Sequence, residues 1–73
     1  MNVEKYILIV EGMSCGHCKN AVEKAVSTLG GVISAVVDLP NKTLAVEIDA
    51  SKVTLEKIKE AVDDEGFTVV GKQ

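Results

Sequence analysis

From Val3 to Val10 every position but Glu4 and Lys5 is apolar, with Tyr6, Leu8 and Val10 alternating against Ile7 and Ile9. Both faces are apolar and β-branched residues are frequent, so the stretch predicts a central strand rather than an edge strand. Gly12 ends it, and a loop carries Met13, Ser14 and Cys15. The period then changes. Cys18, Ala21, Val22, Ala25, Val26 and Leu29 recur at three- and four-residue steps, which makes one apolar helical stripe. Lys19, Asn20, Glu23, Lys24 and Ser27 fall on the other side, and Gly30-Gly31 stops the helix. Val32 to Leu39 returns to a period of two, with Ala35, Val37 and Leu39 on one face. Pro40-Asn41-Lys42 is a turn signal, and Thr43 to Ile48 follows with Leu44, Val46 and Ile48 in phase. So short a connection predicts an antiparallel hairpin. Thr54 is placed to cap a second helix through its hydroxyl. Leu55, Ile58, Ala61 and Val62 form that helix's stripe, Gly66 ends it, and Phe67 to Val70 is a last strand.

The order β-α-β-β-α-β is the ferredoxin-like split βαβ arrangement, an α+β fold. Two helices are expected on one face of a four-stranded antiparallel sheet, in a single domain over residues 1–73. Composition adds that the core is aliphatic: twelve valines and five each of leucine and isoleucine, against Tyr6, Phe67 and no tryptophan. The formal charge is −3 with the two signs interleaved, which disfavours nucleic acid as a partner. Asp63-Asp64-Glu65, at the negative end of the second helix dipole, reads as a solvated acidic patch. No apolar run approaches the ~20 residues that span a bilayer, so no direct membrane insertion is expected. The N-terminus has no basic segment followed by an apolar stretch and a cleavage site, so the expected location is the cytoplasm.

The chemistry is concentrated in Gly12-Met13-Ser14-Cys15-Gly16-His17-Cys18, which holds both cysteines and the lone histidine. Cytosolic thiols are mostly kept reduced, and a bridge closing so short a loop would stabilise little, so a structural staple is disfavoured. A thiol at a helix start has more thiolate character, because free amides and the dipole favour negative charge there. That suits both redox and metal chemistry. Residues three apart around a turn can bring two sulfurs to one ion. Structural zinc takes four ligands, commonly from two separated pairs, and a second pair is missing here. His17 with Glu11 could complete a closed zinc site only awkwardly. A soft ion served by two thiolates is the better match, Cu(I) being the common one. A thioredoxin-like couple remains the alternative of another class. Against it stand the short chain and the position of Pro40 in the hairpin turn. Nothing else in the sequence suggests an enzyme.

The stretch Gly12-Met13-Ser14-Cys15-Gly16-His17-Cys18 after a strand resembles the heavy-metal-associated domain, whose motif is G-M-x-C-x-x-C. The likeness extends through Ala21-Val22-Glu23-Lys24-Ala25-Val26, Gly31-Val32 and Gly66-Phe67, essentially the whole chain. Within the family it is most similar to bacterial copper chaperones. The resemblance implies a ferredoxin-like fold and Cu(I) held by Cys15 and Cys18. It also implies transfer to the metal-binding domain of a copper-transporting P-type ATPase or to a copper-responsive repressor. By the same resemblance Met13 packs beneath the loop, its thioether being the alternative of an accessory copper ligand, and Ser14, where zinc and cadmium relatives often carry Asp, favours copper. His17 is an accessory position, either a solvated helix-start residue or a ligand in a copper-bridged homodimer of an otherwise monomeric protein. Phe67 departs from the Tyr common in the chaperones toward the Phe of many ATPase domains. Met1 and the short tail after the last strand give the expectation of a complete small protein, the alternative being a domain cut from such an ATPase. Lys19 and Lys24 are expected as solvated helix charges.

Overall fold

A computed structural model describes residues 2–13 and 16–72. Its elements are β1 (Val3–Glu11), α1 (Gly16–Ser27), β2 (Val32–Asp38), β3 (Thr43–Asp49), α2 (Leu55–Asp64) and β4 (Thr68–Lys72). The sheet runs in the order β2-β3-β1-β4, and every pairing is antiparallel. The chain therefore has the ferredoxin-like βαββαβ fold. β1, apolar on both faces, is one of the two inner strands, as its pattern predicts.

Register follows from the alternation of side chains. Leu8 pairs with Leu44 and Tyr6 with Val46 across β1 and β3; Val37 pairs with Leu44 and Ala35 with Val46 across β2 and β3. Slipping any strand by one residue would turn its valines and leucines away from the helices, so burial fixes the pairing. Leu8, Val10, Leu44 and Val46 from the sheet are fully buried, as are Val22 and Val26 of α1 and Ile58 and Val62 of α2. Both predicted helical stripes are the buried ones.

β1 and β2 both run antiparallel to β3, so they are parallel to each other and opposed to β3 and β4. The end of β1, the start of α1, the β2–β3 turn, the end of α2 and the start of β4 thus gather at one end of the molecule. The Val10 N–H donates to the Lys42 carbonyl there at 2.9 Å. Lys42 takes a positive φ of 55° to close the hairpin.

Some local expectations need correction. Thr54 does occupy the N-cap position in extended conformation, but its hydroxyl makes no capping hydrogen bond. Only its carbonyl enters the helix ladder, accepting from the Lys57 and Ile58 amides at 3.2 and 3.4 Å. Burial of Ile58 and Val62 stabilises α2 without a side-chain cap. β4 begins at Thr68 rather than Phe67 and continues to Lys72. The reason is the helix end. Gly66 takes a φ of +90°, its N–H donates to the Asp63 carbonyl at 2.9 Å, and the Phe67 N–H donates to Val62 at 3.2 Å. This double closure belongs to the left-handed helix stop that glycine favours, and it uses Phe67 before the strand can. Glu23 and Lys19, expected in solvent, are both half-buried.

The opposite end of the molecule is held by Asp49, a buried carboxylate at the end of β3. One carboxylate oxygen accepts from the Ser51 hydroxyl at 2.6 Å, the Ser51 amide at 3.1 Å and the Asn2 amide at 3.4 Å. The Asp49 N–H donates to the Gly31 carbonyl at 2.7 Å, so the network joins three connections. The Ser51 hydroxyl, then its amide, hold the Asp49 carboxyl below the usual carboxylate range. A carboxyl with a depressed folded-state pKa adds stability above its unfolded pKa and loses it as pH falls through the folded value. Asp49→Asn is therefore expected to lower the urea midpoint at pH 7. The gap to wild type should narrow as pH falls through and below the ordinary carboxylate range, where the native carboxyl in turn protonates. Equal midpoints at pH 7 would contradict this account.

Candidate metal centre

Ser14 and Cys15 lie outside the described residues, so the centre is built from what flanks them. β1 delivers the chain to Gly12, where φ is +97°. A side chain is strained in that conformation, and a Cβ added there would lie 3.2 Å from Phe67 Cδ1. The Phe67 ring therefore lies against the backbone at the loop entry. Met13 follows at 7% exposure, packed in the core. The resemblance implied a packed methionine, and Met13 is packed.

On the far side of the loop, α1 opens at Gly16. His17 is exposed and Cys18, in the first turn, is half-buried and packed against the core. The first turn carries no acidic residue. The opening amides of a helix lack intrahelical partners, and the dipole adds to their pull on negative charge. A helix start without acidic side chains is in general a setting that favours thiolate over thiol.

The fold brings Met13, Cys18, His17 and Phe67 to one end of the molecule, although they come from three places in the chain. Their depths differ: Met13 buried, Cys18 and Phe67 half-buried, His17 exposed. Among the described residues no group of three or more His, Cys, Asp or Glu side chains is placed to hold a metal ion. Lys19 lines an open depression beside α1 together with Val36, Leu39 and Pro40. Lys24 is exposed, as expected.

Sequence reasoning missed Glu23. Its carboxylate Oε2 accepts from the Val37 backbone N–H at 2.7 Å. Helical periodicity put it with the polar positions, and no local signal announces a bond to a strand fourteen residues away.

A ferredoxin-like sheet with a G-M-x-C-x-x-C loop entering its first helix defines a class of metal-handling domain. The chain belongs to the heavy-metal-associated domain family, whose model matches residues 7–68. It is 53% identical over 64 residues to the copper chaperone CopZ of Staphylococcus aureus, covering 88% of this chain and 94% of that protein. The solved structure of a CopZ metallochaperone superposes with a TM-score of 0.90 at 51% identity, covering 92% of this chain and 100% of that one. The N-terminal domain of a potential copper-translocating P-type ATPase from Bacillus subtilis, solved in the Cu(I)-loaded state, gives a TM-score of 0.87 at 34% identity. That match covers 97% of this chain and 91% of that one. No described helix is long and apolar enough to cross a membrane.

The burial of Met13 yields a test. Met13→Ala should cost roughly 2–5 kcal/mol of unfolding free energy. Met13→Leu, near in volume, should stay within about 1.5 kcal/mol of wild type. Chemical denaturation of the reduced metal-free protein measures both. A Met13→Ala variant as stable as wild type would refute the packing role.

Proposed function

We propose that this chain is a single-domain cytoplasmic Cu(I) metallochaperone, not an enzyme. Cys15 and Cys18 are its metal ligands, and copper is its cargo. The observation that carries the reading is Cys18 in a helix turn free of acidic side chains, completing the lone CxxC of the chain. The identity to a copper chaperone supports it.

The chemistry follows from soft ligands and an open coordination shell. Two thiolates suit Cu(I), and the helix start favours their deprotonation. A two-ligand site leaves the ion approachable. An acceptor thiolate can add before a donor thiolate leaves, so copper passes across without being released to water. Metal binding displaces thiol protons, so affinity falls as pH falls. Exposed His17 and half-buried Phe67 flank the site without being required for two-coordinate binding. Met13 supports the loop.

The acceptor is the metal-binding domain of a copper-transporting P-type ATPase or a copper-responsive repressor. The likeness to an ATPase N-terminal domain supports the first, since donor and acceptor can then present similar loops to each other. The same likeness, with Phe67 at the loop, supports a second reading in which this chain is itself such a domain. The protein is monomeric without metal, and a bridging copper can join two copies through Cys15 and Cys18, with His17 as an accessory ligand.

Cu(I) competition between the reduced protein and a strong chelator tests the reading. Wild type should hold one Cu(I) against the chelator, while Cys15→Ser and Cys18→Ser should lose it. Wild type competing no better than either variant would overturn the proposal. Insulin reduction at a rate comparable to a thioredoxin would instead support the oxidoreductase alternative.

A further inference from the structure

Glu23 lies on α1 five residues beyond Cys18, about 7.5 Å along the helix axis. Its carboxylate accepts from the Val37 N–H at 2.7 Å, in a half-buried setting. Val37 belongs to β2, an edge strand of the sheet. Its N–H therefore goes to Glu23, leaving one fewer open donor on that edge.

The hydroxyl bonds of this region, by contrast, turn back into the helix. Ser27 bonds the Glu23 carbonyl and Thr28 the Ala25 carbonyl. The Val37 N–H donating to the Glu23 carboxylate is a side-chain hydrogen bond that ties α1 to the sheet. The distinction matters because the buried part of α1 is apolar. Val22 and Val26 set how deep α1 sits, but apolar burial is non-directional and resists sliding or rotation only through shape. A charged acceptor on a backbone amide is directional and comparatively strong. Lys19, next to Cys18, lines its depression with Val36, Val37, Asp38, Leu39 and Pro40. The same piece of β2 thus meets both the bond and the turn that carries the cysteine.

We propose that Glu23 is a positioning residue for the metal loop: its bond to Val37 pins α1 on the β2 edge and thereby sets how Cys18 is presented. The link to copper rests on the metallochaperone reading; the positioning of Cys18 does not.

The test compares Glu23→Ala, Glu23→Gln and wild type, with Asp49→Asn as a variant weakened at the opposite end. In the reduced metal-free proteins, iodoacetamide alkylation of Cys18 is followed by peptide mass, and exchange of the Val37 amide by NMR. Copper-loaded proteins are then mixed with excess bicinchoninate and Cu(I) release is timed. Glu23→Ala should change the Cys18 alkylation rate and Cu(I) release by roughly threefold or more, with faster Val37 exchange. Glu23→Gln, which keeps an acceptor oxygen, should recover most of the difference. Asp49→Asn should stay at wild-type rates in both assays. If Glu23→Ala does not fold, Glu23→Asp, one methylene short of Val37, is read the same way. The proposal is overturned if alkylation is unchanged by loss of Glu23, or if Asp49→Asn shifts it as much. Failure of wild type to bind Cu(I), with the alkylation pattern intact, would sink the metallochaperone reading and leave the positioning role standing.

Discussion

The structure depends on one apolar seam, where the stripes of two helices meet the inner face of a four-stranded sheet. Val22 and Val26 from α1, and Ile58 and Val62 from α2, close over Leu8, Val10, Leu44 and Val46 with no exposure left. Because side chains alternate along strands, this burial fixes the register of every pair. The register fixes strand direction, and direction places five chain segments at one end of the molecule. Met13, Cys18 and Phe67 have their surroundings because of packing decided elsewhere.

The two ends of that framework are built differently. At one end Asp49 gathers Asn2, Ser51 and the Gly31 carbonyl into a directional polar network. At the other, Met13 enters the core and the Phe67 ring rests on Gly12, while the Cys18 side of the loop faces partly outward. A buried Met13 beside half-buried Cys18 and exposed His17 suits, on the proposed reading, a site that keeps its shape while a second protein approaches its metal. On the proposed reading, exchange needs no unfolding and no departure of a third protein ligand.

Much of this was legible in the sequence, and the failures share a cause. Periods of two and of three to four report which face is buried, so the strands, both helical stripes and the central place of β1 could be read directly. The motif around Cys15 and Cys18 named the family. Periodicity is silent on where a polar side chain finds its partner. Glu23 shares a helix phase with exposed residues, yet it reaches Val37 on another element. Asp49 was unremarked because its donors come from the chain start and the following turn. Thr54 shows the converse, since a residue type suited to capping held its position and made no capping bond. Local propensity names a candidate, and tertiary geometry decides whether the bond forms.

The central claim is that two thiolates and nothing else from this chain hold the first copper. X-ray absorption at the copper edge, on reduced protein loaded with less than one equivalent of Cu(I), tests it most directly. The account predicts a two-coordinate ion with sulfur from Cys15 and Cys18 alone, unchanged when His17 is replaced by alanine. A nitrogen scatterer lost in His17→Ala, or a sulfur shell unaffected by Cys15→Ser or Cys18→Ser, would contradict it.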